Sequence, residues 1–333
     1  RIVSIRGINE NMKKLTKKFV VIGSVITLCF NCLGMTSFAE EKNAESTVEI
    51  TAERMKEAQA ELDSLDLVKL YEETDWKKDT NTFSEFEIYE RLANTPSAQL
   101  EEYGYTLNEI ATIRNFRNEL DEHVRQMNTL DDNTLREFQY TPSQIDAIRN
   151  YDGSDEALSR AAATVSLGLN IDYCTYNAST NRTSSRIRFN FSWNGQPFFK
   201  MKDMMTVGWD DWYQASKSAN VQYKYIYSGG TTKNQTPTYV EPSNGKGYGG
   251  GYKFNAVIDD NYYYAQNGNC AFVLDCPGEK DMHTIGVFAH QTLNIEPSFS
   301  VSVTPSGGTP SLSIKLVNST AEKSITASKR VSR

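Results

Sequence analysis

Residues Trp209-Asp210-Asp211-Trp212-Tyr213 bring two indoles, a phenol and two carboxylates into five consecutive positions. Aromatic faces of this kind stack on sugar rings while carboxylates accept hydrogen bonds from hydroxyls, which makes the segment the candidate ligand-binding surface. A competing reading has the aromatics anchoring a core. Nucleophilic chemistry would need a thiol beside a base: Cys174, Cys270 or Cys276 with His283 or His290. No motif surrounds any of the three thiols, and His283 alternates with Ile285 and Val287 as on one face of a strand, so no catalytic residue is assigned. Cys270 and Cys276 are close enough in sequence to close a small disulfide loop, with Cys174 left over or pairing with either. The acidic pairs Asp210-Asp211 and Asp259-Asp260 and the neighbours Asp275 and Asp281 lack calcium-loop spacing. Cys276, His283 and His290, seven apart, match no zinc pattern, and no metal or cofactor is expected. Gly245, Gly247 and Gly250 spell GxGxxG, but in a Gly/Asn/Pro loop among strands rather than between a strand and a helix, so no dinucleotide is expected.

The elements that must position these residues fall into two classes. From Val48 to Glu73, Ile50, Met55, Ala58, Leu62, Leu65, Leu67 and Leu70 recur at helical intervals, with a break near Ser64. Residues 100–116 and 135–151 then align as an internal repeat with eight of 17 positions identical. Each copy predicts a short helix, a turn, a Thr N-cap (Thr106, Thr141) and a second helix carrying paired isoleucines, and Pro142 marks a first helical position. Residues 154–164 read as a small-residue linker. Beyond them the period becomes two, as in Ile187/Phe189/Phe191/Trp193, Val221/Tyr223/Tyr225/Tyr227, Phe299/Val301/Val303 and Leu312/Ile314/Leu316. Short strands with no intervening helices predict an all-β antiparallel sandwich. The fold class is therefore α+β by segregation, with a short acidic helical module over 40–153 carrying two helix-turn-helix repeats, a sandwich over 165–325 and a tail over 326–333.

The chain's address is read from Met12–Ala39. Lys13, Lys14, Lys17 and Lys18 precede an apolar run from Val20 to Met35 and a Ser37-Phe38-Ala39 end, the pattern of a cleaved export signal. Residues 1–11 read as upstream translation, and the mature chain as secreted, extracellular and without a transmembrane segment. Residues 40–153 hold 27 acidic against 12 basic side chains and residues 154–333 hold 14 against 17, so the acidity belongs to the helical half. Neither half has the clustered basic face that a nucleic-acid partner needs.

The Tyr-Thr-x-x-x-Ile-x-x-Ile-Arg-Asn element, together with a Ser-rich tail containing Ala289-His290-Gln291-Thr292 and Glu296-Pro297-Ser298-Phe299-Ser300, resembles secreted, mostly uncharacterised proteins of Gram-positive bacteria. The layout is similar to that of precursors of closticin-type clostridial bacteriocins. That resemblance implies a C-terminal part released as the active peptide and carries no catalytic residue. Two expectations follow. One is a non-enzymatic bacteriocin-like precursor whose acidic helices shield a β-rich effector. The other is an extracellular sandwich that binds glycan, protein or cell envelope, with the helices as a spacer.

Overall fold

A computed structural model describes residues 50–72, 80–102, 104–198, 200–244, 247–290, 298–304, 311–317 and 321–333. The expected export signal at 12–39 lies outside these residues, as does Gly245.

The N-terminal part is helical and the C-terminal part is built of antiparallel sheets, as the change of period predicts. Helix α1 (Ala52–Asp63) is capped by Thr51 and stops at Ser64, and α2 (Leu67–Glu72) resumes after the break. Then come α3 (Glu85–Asn94), α4 (Ser97–Glu102), α5 (Leu107–Met127), α6 (Asp132–Glu137) and α7 (Pro142–Arg149). Thr106 and Thr141 each accept from the third backbone N–H of the following helix, whose Glu109 or Gln144 side chain returns the bond, so both helices start with a full capping box. They end differently. Helix α5 runs on through Phe116, Leu120 and Val124, buried at every fourth position, whereas α7 is stopped by Asn150 and the turn at Gly153.

Three boundaries differ from the sequence expectation. Residues Thr80–Ser84 inside the helical half form strand β1. The expected linker at 154–164 is largely helix α8 (Asp155–Ala161), because Ser154 caps it and Ala157, Leu158 and Ala161 supply a small apolar face. Ala162 and Ala163 continue, buried, into the first long strand. At the far end the sandwich does not stop at 325. Strand β14 (Ala321–Lys329) crosses that boundary, and Ser332 bridges Thr175.

The remaining strands are β2 (Thr164–Asn177), β3 (Arg182–Asn194), β4 (Lys202–Trp209), β5 (Tyr213–Tyr225), β6 (Thr232–Gln235), β7 (Thr238–Val240), β8 (Gly249–Asn255), β9 (Val257–Ile258), β10 (Tyr263–Pro277), β11 (Met282–His290), β12 (Ser298–Thr304) and β13 (Ser311–Val317). One sheet runs β1-β2-β3-β10-β5-β6 with β9 also on β10, and a second runs β14-β11-β4-β8-β7. Strand β6 pairs with β5 in the first sheet and β7 with β8 in the second, so the chain passes from one sheet to the other between them. Between the sheets lies an aromatic core in which Phe191 stacks on Phe254 (centroids 5.3 Å) and Trp209 tilts onto Phe272 (5.1 Å).

Both sheets are also covered outside. Ala58, Leu62 and Leu67 of α1 and α2 pack on Ala215, Ala271 and Val273 of β5 and β10. On the second sheet, Phe299, Val301 and Leu316 of the β12–β13 hairpin pack on Met204, Ile285, Val287 and Ala289. The result is four layers: helix, sheet, sheet and hairpin. Strand β10 therefore faces apolar neighbours on both sides, which accounts for its nearly unbroken burial from Tyr264 to Cys276.

Candidate functional site

The most concentrated buried chemistry lies where the helical half meets the sandwich. Ser84 caps α3 and places Glu85 at its first position, fully buried. The backbone N–H of Phe198 donates to Glu85 Oε2 at 2.7 Å. On the sheet, His290 and Asp203 are register partners on β11 and β4. The His290 Nδ1–H donates to Asp203 Oδ1 at 2.7 Å and its Nε2–H to Glu85 Oε1 at 3.3 Å. The Tyr89 hydroxyl, one turn along α3, donates to the His290 carbonyl at 3.3 Å. The imidazole lies between Trp193 (4.9 Å) and Tyr89 (5.6 Å). Burial by itself would push its pKa down. The carboxylates of Asp203 and Glu85 outweigh that and hold it up to about 10, so His290 is a buried imidazolium clamped by two acids and two aromatic faces. Both ring nitrogens are committed to this latch.

A second set of polar contacts holds α1 against the first sheet. Arg54 makes a fork on Asp275, Nε to Oδ2 at 2.7 Å and Nη2 to Oδ1 at 3.0 Å, and Ser184 Oγ donates to the same carboxylate at 2.6 Å. Glu61 takes Arg186 at 3.0 Å and the Tyr173 hydroxyl at 3.0 Å. Arg186 and Arg188 share Asp172, and Ser216 Oγ donates to Gln59 at 2.6 Å. Acids of the helical half thus meet bases of the sandwich, and in one place the reverse.

The aromatic-acidic segment is divided by burial. Trp209 and Trp212 are fully buried, Trp209 donating its indole N–H to the Gly247 carbonyl at 3.2 Å. Asp210 is buried beside Lys280 Nζ (3.4 Å) and His283 (4.0 Å). Burial raises its pKa and the two bases oppose the rise. Asp211 is exposed and paired with Lys280, and Tyr213 is 40% exposed. Only these last two reach solvent, because Trp209 lies at the end of inward-facing β4 while β5 turns outward from Tyr213.

The expected Cys270–Cys276 disulfide does not form. Both lie on β10, six residues apart, or about 20 Å along a strand, and bridged Cα atoms stand no more than ~7 Å apart. Cys174 on β2 is separated from Cys276 by β3, about two strand spacings. All three are free and buried. Burial lifts Cys174 to about 11 and Cys276 to about 12 and also raises Cys270, the opposite of an activated nucleophile. Gly249, Gly250 and Gly251, expected in a flexible loop, are consecutive residues of β8. Among the described residues no group of three His, Cys, Asp or Glu is arranged to hold a metal. None of their helices is long and apolar enough to cross a membrane, a statement that does not extend to strands.

The latch was not legible as a site in the sequence, because Glu85, Asp203 and His290 are scattered over 200 positions. The one local signal is Asp203, an acid that follows Lys202 at the start of a strand otherwise uncharged and buried through Trp209.

No family model matches the sequence, and no curated protein does. Among solved structures the chain is similar to a pore-forming protein (TM-score 0.24, 10% identity, 50% of this chain and 85% of that one). It is also similar to the Clostridium perfringens NetB toxin in its membrane-inserted form (0.24, 8%, 50% and 91%). A third is AvmM, which catalyses macrocyclization in alchivemycin A biosynthesis (0.23, 11%, 50% and 89%). Likeness at these scores, shared by toxins and a biosynthetic catalyst, says nothing about this chain's activity.

Proposed function

We propose that the chain is a secreted, non-enzymatic effector whose β-rich part, from Thr164 onward, is stored under an acidic helical cover. The observation that supports this is the latch: a cover joined to the effector by the buried Glu85–His290–Asp203 cluster and by Arg54–Asp275 is specific to that surface, which a mere spacer need not be. The cover does more than shield, since its β1 completes an edge of the first sheet and its α3 and α5 share one core with Val165, Trp193 and Phe288. Cutting the connection therefore leaves two fragments associated. Exposed Asp152 and Ser154, on either side of the Gly153 turn, are the accessible place for such a cut, rather than the buried alanines of 161–163.

The test is a variant with a specific protease site inserted after Asp152, applied to indicator cells before and after cleavage. Activity that rises on cleavage, or when the helical fragment is stripped away, supports the reading. Equal activity of cut, stripped and whole protein overturns it. The alternative, a glycan- or protein-binding sandwich, is left with Asp211 and Tyr213 as its solvent-facing groups, and loss of binding in folded Tyr213→Ala would favour it.

A further inference from the structure

We propose that the β12–β13 hairpin is a stored membrane-inserting element, whose partner is a lipid bilayer. The proposal rests on the effector reading and names the effector's target.

Its first support is the residue pattern. Phe299, Val301 and Val303 face Leu316, Ile314 and Leu312 across the hairpin, and these six form its apolar side. The other side presents Ser300, Ser302, Ser313 and Lys315, half or fully exposed. Over both strands there is one charged side chain and no acid. Seven residues per strand extend about 23 Å, against roughly 25 Å for the apolar band of a membrane barrel. Strands tilted across a bilayer take about 9–11 residues, of which the seven of each arm supply the larger part.

The second support is how the hairpin is held. Its strands pair with each other and with neither large sheet. Chain connection is at His290 and Ala321, which are themselves register partners on β11 and β14. The two strands can therefore depart without breaking a ladder bond of either large sheet among the described residues. Among the described residues two hydrogen bonds tether its backbone, from Ser243 N–H to the Phe299 carbonyl at 2.7 Å and from Asn244 Nδ2–H to the Val301 carbonyl at 2.7 Å.

The third support is the seat. The hairpin rests on a track of glycines where a Cβ would intrude: at Gly208 it would lie 3.1 Å from Val301 Cγ1, at Gly249 2.6 Å from Val301 Cγ2, and at Gly251 2.9 Å from Phe299. The contact is close and apolar, against these glycines and against Met204, Ile285, Val287 and Ala289, with no ion pair between the two surfaces among the described residues. Undocking in water would expose Phe299, Val301 and Leu316 together with Met204, Val287 and Ala289, which the hydrophobic effect opposes. Hydrocarbon offers the hairpin's half of that surface a replacement. A single hairpin has two unpaired edges, which hydrocarbon does not tolerate, so hairpins of several copies must close into a barrel with serines lining its interior.

The experiment uses the full chain, carrying the protease site after Asp152, with vesicles of phosphatidylcholine and phosphatidylglycerol. In Gly208→Cys/Val301→Cys a disulfide would lock the hairpin to its seat. The expected result is dye release by the cleaved, reduced protein, loss of release on oxidation, and recovery on adding reductant. A second measurement does not depend on the lock: an environment-sensitive fluorophore on Val303→Cys enters an apolar environment with vesicles, and one on Ser302→Cys does not. Equal release by locked and reduced forms, or no lipid-dependent change at either labelled position, overturns the proposal. Killing of indicator cells by a locked protein would overturn it while leaving the effector reading intact, and a cleaved protein inert on cells but releasing dye would do the converse.

Discussion

At the scale of single residues, two histidines set opposite limits on stability. His290 has its folded pKa raised to about 10 from a usual value near 6.5. Its contribution is therefore complete below pH ~6.5 and is lost as pH rises through 10. His123 is the reverse case. Its ring lies against Phe198 (4.5 Å) and meets the Tyr140 hydroxyl at 2.8 Å, and burial, aided by Lys200, pushes it down to about 4. Its neutral form is favoured in the fold, so stability falls as pH drops from ~6.5 through 4. Urea midpoints measured across pH should peak near neutrality. His290→Gln should flatten the alkaline limb and lower the maximum, and His123→Gln should flatten the acid limb; a shared, unchanged profile would refute both assignments. The indoles belong at this scale too. Trp209→Ala or Trp212→Ala should cost about 3–5 kcal/mol in denaturant, because each empties a fully buried site, whereas Tyr213→Ala should stay within about 0.5 kcal/mol. Removing the Trp side chains is accordingly a poor test of ligand binding.

Among elements, α1 shows why ion pairs of similar geometry differ in weight. Arg54 faces an Asp275 carboxylate that is 1% exposed, and Arg117 meets a largely exposed Asp155 at 2.6 Å. Arg54→Ala strands a buried charge and should destabilise by about 3 kcal/mol, while Arg117→Ala should change stability by less than about 1 kcal/mol. Thermal unfolding of the two variants side by side checks the ranking. The same elements show what the sequence can and cannot convey. The strands at 187–193, 221–225, 299–303 and 312–316 were legible because alternation is a local property of a half-buried strand, and α1 because its apolar spacing and the Ser64 break are local too. Strand β1 was hidden, since Thr80–Ser84 has only Phe83 as an apolar member and owes its extension to pairing with β2. The helix at 155–161 was mistaken for a linker because alanines suit a tight interface as well as a flexible joint. At 209–213 the aromatic-acidic cluster was visible, but only the turn from β4 into β5 decides which of its members face solvent.

For the whole molecule, the absence of disulfides among the described residues leaves a hydrophobic core to hold four layers together. Cys174, Cys270 and Cys276 should resist thiol reagents in buffer and react in denaturant, with no change of mass on reduction; fast labelling of the native protein would contradict their burial. A small part of the charge asymmetry seen in the sequence is matched across the joint between the halves, where Glu61 and Glu85 meet Arg186 and His290.

Strand β10 carries one more consequence, in time rather than space. Its centre pairs with β3 some eighty residues upstream, and β11 pairs with β4 at a similar separation. Such distant partners place assembly of the sandwich in the range of milliseconds to seconds. Strands β12 and β13 are neighbours in the chain and can meet within microseconds. The hairpin is thus an early, transient visitor that exists before the surface on which it will rest, and refolding should show its docking as the last event.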